Sequence, residues 1–273
     1  MMDGRKHWKR LAINSRSPAN EFARSKPKHS VNCARVEPVN IFAMQLTDPV
    51  KYDRLSHRLA SVARLVPPCK RLIDIGTDHA LLPIELIRLQ RCQQAIAADI
   101  RPGPLAAAQR NITAAGLAGK IETCLSNGLT NIDLHYDDAV VIAGLGGYEM
   151  MDILGSQPRK CQAIILQPMK STPELRYWLS RNGYLITDED LAIEVHRSYT
   201  VIRCQYDGEP YEMNPLQVQI GPVLSEKKPD GFVSYIERQI HRIEKQKRGE
   251  PRLSTVLDQL ITMRNQIRRD VDD

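Results

Sequence analysis

The sequence predicts an α/β fold: a doubly wound, mostly parallel sheet followed by a C-terminal helical hairpin. Three observations point there. Short apolar runs alternate with helix-like stretches through the middle of the chain, at the pace of βαβ units. Those runs are almost continuously apolar, as strands covered on both faces are. Past residue 221 the apolar residues instead recur at steps of three and four, the stripe of an amphipathic helix.

In chain order, Leu55, Leu59, Val62, Ala63 and Val66 recur at helical spacing, and Pro67-Pro68 ends that helix. Buried strands are expected at Arg71–Ile75, Ala95–Ala98, Ile121–Leu125, Ala139–Ala143 and Ala163–Leu166. Helices are expected between them, at Leu81–Leu89, Pro104–Ala115, Tyr148–Leu154 and Thr172–Arg181. Tyr184–Ile193 and Tyr199–Tyr206 are β-rich and are expected to close the sheet as an antiparallel edge hairpin, which makes it Rossmann-like. In the tail, Phe232, Tyr235, Ile236, Gln239, Ile240 and Ile243 form one stripe. Val256, Leu260, Met263 and Ile267 form another, with Gly249-Glu250-Pro251 as the break between two helices. Arg238, Arg242, Lys245, Lys247, Arg248, Arg252, Arg264, Arg268 and Arg269 fall on the polar faces. They read either as a solvated basic face or as an arm that grips RNA.

The bulk properties bound the answer without choosing it. The chain has 273 residues, 42% hydrophobic and 26% charged, ordinary for a globular protein. Aromatics make up 5%, too few for a recognition surface built of stacked rings. A formal charge of +6 suits a phosphate-bearing partner. Six cysteines (Cys33, Cys69, Cys92, Cys124, Cys161, Cys204) are scattered without a C-x-x-C pair, which reads as free thiols in a reducing, cytoplasmic compartment. No apolar run approaches the roughly 20 residues that span a bilayer, and no His/Cys/carboxylate cluster has metal-ligand spacing. Residues 1–45 are rich in Arg, Lys, Ser, Asn and Pro without a period. They read as disordered, as a transit peptide, or as an extension upstream of a true start at Met44. The expected organisation is therefore 1–45 as an N-terminal extension, 46–220 as the α/β domain and 221–273 as the hairpin.

The chemistry is expected beyond the carboxyl ends of the strands, where open α/β sheets bind ligands. Asp74-Ile-Gly-Thr-Asp-His79 follows the first strand, and Gly76 permits a tight turn and close ligand approach. The spacing is not G-x-G-x-x-G, so a dinucleotide pyrophosphate is poorly served and an oxidoreductase is disfavoured. One Gly flanked by carboxylates suits a ligand with a ribose and a cationic centre. The plain alternative for Asp78 is an N-cap, and His79 reads as a packed or capping residue. Asp99 ends the second strand, where an acid accepts from ribose hydroxyls; capping the following helix is its alternative. Ser126-Asn127-Gly128 ends the third strand, and Ala143-Gly144-Leu145-Gly146-Gly147 ends the fourth with a backbone open to close approach. Gln167-Pro168 offers an amide at the end of the fifth.

Together, DIGTDHALLP (74–83), AADI (97–100), NGL (127–129), IAGLGG (142–147) and LQP (166–168) resemble the bacterial tRNA (adenine(22)-N1)-methyltransferase family. The resemblance extends over roughly residues 50 to 270, including GPVL at 221–224. It implies a class I methyltransferase domain with a small coiled-coil domain, and methyl transfer from S-adenosyl-L-methionine to N1 of an adenine in the D-arm region of tRNA. Carried over by position, Asp74 and Gly76 would line the methionine end, Asp99 the ribose, and Asn127 with Gly128 the adenine. Ala143 and Gly144 would complete the cofactor site. Gly146, Gly147 and Gln167 would face the substrate, with Arg238, Arg242 and Lys245 on the tRNA. Asp78 is the candidate catalytic carboxylate. Leu81 stands where that family usually has an aromatic residue, Asn127 where it has Asp, and Met169 where Asn is common; an Asn carbonyl can still accept from the adenine N6 amine. The rivals are a methyltransferase for a small molecule and a non-catalytic RNA-binding protein. No oligomeric state follows from the sequence, and a monomer is compatible with it.

Overall fold

The computed structural model describes residues 52–155, 160–194, 197–246 and 252–272. The N-terminal extension, Lys247, Arg248 and the break at 249–251 therefore lie outside the described residues. The α/β layer runs α1 (His57–Leu65), β1 (Cys69–Ile75), α2 (Leu81–Arg88), β2 (Cys92–Asp99), α3 (Pro102–Ala114), β3 (Ile121–Leu125), β4 (Asp138–Leu145), α4 (Gly147–Gly155), β5 (Ala163–Pro168), α5 (Thr172–Arg181), β6 (Tyr184–Glu194) and β7 (Arg197–Tyr206). The seven strands pair in the order β3-β2-β1-β4-β5-β7-β6. All neighbours are parallel except β5 with β7 and β7 with β6, so the expected edge hairpin is present.

The alternation of side chains along each strand divides the core between two faces. Leu72 of β1 and Val141 of β4 pack with α1, α2 and α3, through Val62, Leu86 and Ile112. Ile73 and Ile142 pack on the other side with α4 and α5, through Met150, Leu154, Leu175 and Leu179. The helices that follow β1 and β2 thus cover one face, and those that follow β4 and β5 the other. The change of side falls between β1 and β4, the point at which open α/β sheets form a ligand crevice at the carboxyl edge.

Expected and observed strands agree to within a few residues, with β1, β2 and β4 longer than their apolar runs. Two short helices were not expected: α6 (Pro215–Ile220) and α7 (Pro222–Lys227). Six residues are too few to show a period. The start of α6 was nonetheless signalled, because Asn214, Pro215 and Gln217 form a capping box. Helices α8 (Phe232–Gln246) and α9 (Arg252–Asp272) form the hairpin, and Arg268 near the end of α9 pairs with Glu237 near the start of α8, so the two run antiparallel. The expected stripes are buried at Phe232, Tyr235, Ile236, Ile240, Ile243, Val256 and Leu260, together with Leu191 of β6.

A buried ion pair ties this helical layer to the sheet. Arg176 of α5 and Glu189 of β6 are both fully buried and meet at 2.8 Å. The guanidinium also donates to Gln219 O, and Glu189 Oε2 accepts from the backbone N–H groups of Val223 and Leu224 at the start of α7. Gly221 is required between α6 and α7, because a Cβ there would fall 2.3 Å from Glu189 Oε2. The cysteines are not all scattered in space. Cys69 and Cys92 occupy paired positions on β1 and β2, with their Sγ atoms 2.9 Å apart as free thiols.

Removing one partner of a buried pair strands the other charge, at a cost of about 3–5 kcal/mol. Glu189→Ala is therefore expected to lower the urea unfolding free energy by that amount. A loss under about 1 kcal/mol would show that the α6–α7 corner is held by its apolar contacts alone.

Candidate active site at the carboxyl edge of the sheet

The polypeptide leaves β1 through Gly76 and Thr77, whose N–H groups both donate to Ala98 O of β2. This keeps the two strand ends together as the chain turns. Asp74 is buried, and among the described residues its carboxylate has no cationic partner. Burial pushes its pKa up to about 6; the Thr77 hydroxyl opposes the shift but makes no well-formed hydrogen bond and is itself buried. Asp78 is 77% exposed and lies 3.4 Å from His79 Nε2. Helix α2 is capped by Ala80 in a left-handed conformation without a side-chain bond, so neither Asp78 nor His79 caps it. His79 is not packed either: its ring is exposed.

Asp99 is buried at the end of β2. Its Oδ1 accepts from the backbone N–H of Arg101 at 2.8 Å, which fixes the carboxyl group and leaves Oδ2 to accept from a ligand. It does not cap α3, whose N-cap is Arg101. Across from it, Ser126 N donates to Asp99 O, and Ser126 Oγ donates to Gly128 O. That turn leaves the Asn127 side chain exposed and Gly128 buried. Ile100 and Leu125 flank the pair of strand ends as exposed apolar side chains.

At the end of β4, Ala143 is half-buried and Gly144 is exposed with φ +82°. Gly76 is half-buried with φ +77°, and a Cβ there would stand 3.9 Å from the Leu145 side chain, so both strand ends carry a glycine in a conformation that favours it. Gly146 and Gly147 are buried instead. Lys170 covers Gly146, whose N–H donates to Glu149 Oε2, and Gly147 packs on the Ser171 backbone with its N–H on Lys170 O. Their close approach is to the β5–α5 loop, and it locks that loop to the start of α4.

Gln167 is fully buried, and its carbonyl oxygen accepts from Arg58 Nη1 of α1 at 2.7 Å. The same Nη1 lies 3.6 Å from the position of a Cβ on Gly144. A guanidinium held from behind by a buried amide thus overhangs the crevice. The sequence reading did not name Arg58, which lies far from the strand ends in the chain. The basic residues of the hairpin lie elsewhere. Arg238 and Arg242 are half-buried rather than solvated, with Arg238 donating to Glu194 O at the tip of β6, and Lys245 is exposed. Because β6 runs antiparallel to β7, which runs antiparallel to β5, that tip lies on the same edge as the crevice. It is four strand spacings from β1, roughly 19 Å along the sheet.

These donors and acceptors fit a nucleoside joined to an amino acid. Buried carboxylates at Asp74 and Asp99 suit an ammonium or sulfonium and a ribose, Arg58 suits a carboxylate, and Ile100 with Leu125 suits the faces of a base. Among the described residues no group of His, Cys, Asp and Glu could hold a metal ion, and no helix is long and apolar enough to cross a membrane. A family model described as a methyltransferase domain matches residues 55–202. The tRNA (adenine(22)-N(1))-methyltransferase of Bacillus subtilis is 32% identical over 190 residues, 66% of this chain and 79% of that protein. The chain belongs to the tRNA (adenine(22)-N(1))-methyltransferase family. Among solved members of similar fold, M. capricolum TrmK in complex with S-adenosyl-homocysteine is 30% identical, with a TM-score of 0.65 over 78% of this chain and 98% of that one. A Streptococcus pneumoniae protein in complex with S-adenosyl-L-methionine is 29% identical, with a TM-score of 0.69 over 77% and 99%.

For a tRNA (adenine(22)-N(1))-methyltransferase family member, the unpaired Asp74 is a measurable liability. Its carboxyl binds a proton more tightly when folded than the usual 3.8. Stability is therefore greatest below that value, falls as pH rises toward 6, and stays reduced above it. Asp74→Asn removes the ionisation and is expected to stabilise the ligand-free protein by about 3 kcal/mol at pH 8 and roughly half that at pH 5. Urea titrations at the two pH values measure the difference; equal effects at both would mean that the carboxyl titrates normally.

Proposed function

We propose that this chain methylates N1 of an adenine in tRNA, at position 22 in the D-arm region, using S-adenosyl-L-methionine. The observation that carries the reading is the coincidence of family membership with a buried Asp74, an Asp99 fixed by the Arg101 amide and an Arg58 held by Gln167 at one strand edge. Asp74, Gly76 and Arg58 would hold the amino-acid end, Asp99 the ribose, and Asn127 with Gly128 the adenine, with Ala143 and Gly144 forming the opposite wall. When bound, the cofactor supplies an activated methyl group, so the chain itself needs no nucleophile and no metal.

The acceptor atom has an in-plane lone pair, so the protein's task is proximity, alignment and exclusion of water. N1 lies on the Watson–Crick edge, and a paired adenine must leave its stack to be reached. Methylation makes the ring cationic. Asp78, an exposed carboxylate on the loop after Gly76, would stabilise that charge or take the N6 proton. Gln167 acts through Arg58, which it orients, and Gly146 with Gly147 shape the substrate edge. In this reading residues 46–220 form the methyltransferase domain of a cytoplasmic enzyme. Residues 221–273 are the arm that meets tRNA phosphates, through Arg238, Arg242 and Lys245.

The test is incubation with tritiated S-adenosylmethionine and unmodified tRNA, followed by digestion and nucleoside analysis. Label is expected in 1-methyladenosine. Asp78→Ala is expected to lower turnover by about a hundredfold or more, the usual weight of a general base, with cofactor affinity unchanged. Near-normal turnover would remove Asp78 from the mechanism, and label confined to a small-molecule acceptor would overturn the assignment to tRNA.

A further inference from the structure

We propose that Tyr148 stacks on the acceptor adenine and is the ring that holds the unpaired base for methylation. The inference rests on the reading just given and assigns the substrate contact that the cofactor crevice leaves open. An adenine drawn out of its helix loses its stacking partners, and a site that presents its Watson–Crick edge must replace them. An aromatic side chain does this without hydrogen-bond readout.

Among the described residues, the exposed aromatic side chains are Tyr136, Tyr148 and Tyr177. Tyr136 precedes β4, so it lies at the opposite edge of the sheet, and Tyr177 lies in the middle of α5. Tyr148 is the second residue of α4, three beyond the end of β4, with 45% of its surface exposed. Met169, an exposed apolar side chain of the β5–α5 loop on the same side of the sheet, is aliphatic.

The backbone beneath Tyr148 is unusually well fixed. Gly147 N donates to Lys170 O at 3.0 Å and Met169 N to Leu145 O at 2.8 Å, lacing the start of α4 to the β5–α5 loop. A Cβ on Gly147 would fall 2.6 Å from Ser171 O, so the two segments are in contact without slack. Glu149 adds a bond to Gly146 N at 2.7 Å. A ring carried on a rigid support loses little entropy when a base lands on it. The same loop carries Met169, whose Sδ accepts from Gln167, and Lys170, whose side chain lies over Gly146, while Glu174 of α5 is the charge that acts on the Tyr148 hydroxyl. A site served by one ring is compatible with the low aromatic content of the chain.

The test uses Tyr148→Ala and Tyr148→Phe in the full-length protein. Three readouts are needed: kcat/KM for tRNA, S-adenosylhomocysteine affinity by calorimetry, and the fluorescence of 2-aminopurine at the acceptor position. Tyr148→Ala is expected to lower kcat/KM by roughly tenfold to a hundredfold, the usual worth of one base stack. It should leave cofactor affinity unchanged and abolish the quenching of 2-aminopurine on binding. Tyr148→Phe is expected to stay within about twofold of the parent, because the ring and not the hydroxyl carries the contact. An alanine variant within twofold of the parent, equal losses in both variants, or a parallel loss of cofactor affinity would each overturn the proposal. A parent protein that labels no tRNA would instead overturn the functional reading on which it rests.

Discussion

Everything in the site follows from one topological constraint: β1 has β2 on one side and β4 on the other, and the helices leaving those strands cover opposite faces. Right-handed crossovers force this arrangement once the strand order reverses. The helices therefore part above β1 and β4, and the strand ends carry glycines covered only by the Leu145 side chain and the Arg58 guanidinium. Gly76 and Gly144 keep that opening clear. Asp74 and Asp99 are buried by the same packing that exposes the gap beside them. The crevice is a consequence of the sheet, and the side chains at its rim give it chemical character.

That rim departs from what stability alone would select. A carboxyl pushed to about 6 by burial, a buried Thr77 hydroxyl without a good partner and a guanidinium held open by Gln167 are all unfavourable or neutral in the empty protein. Away from the site Glu189 is fully engaged by Arg176 and the amides of α7, whereas among the described residues single nitrogens of Arg91, Arg176, Arg238 and Arg242 are buried without a partner. The contrast between Asp74 and Glu189, both buried acids, distinguishes a binding site from a structural weld.

Most of the fold was legible because its signals are local. Apolar runs of strand length separated by helical stripes predict the sheet, and strand-end Asp and Gly residues mark its carboxyl edge. The strand-end positions of Asp74, Asp99 and Gly144 could be read directly. Arg58 could not, since its relation to Gln167 spans 109 positions and depends on how α1 crosses β5. Leu125 read as the last residue of a buried strand and Ile100 only as part of the AADI motif, and both are exposed. The burial of Gly146 and Gly147 was equally hidden, because it depends on the path of the β5–α5 loop. Asp78 and His79 were weighed as helix caps, but a left-handed Ala80 starts α2 and leaves both in solvent.

The central claim is that the β1–β4 opening is the cofactor site, and a co-crystal structure with S-adenosylhomocysteine tests it most directly. The account predicts electron density lying across Gly76 and Gly144, with the ribose hydroxyls on Asp99, the carboxylate toward Arg58 and the base between Ile100 and Leu125. Density at any other place on the molecule, or a ligand in the crevice whose ribose does not reach Asp99, would contradict it.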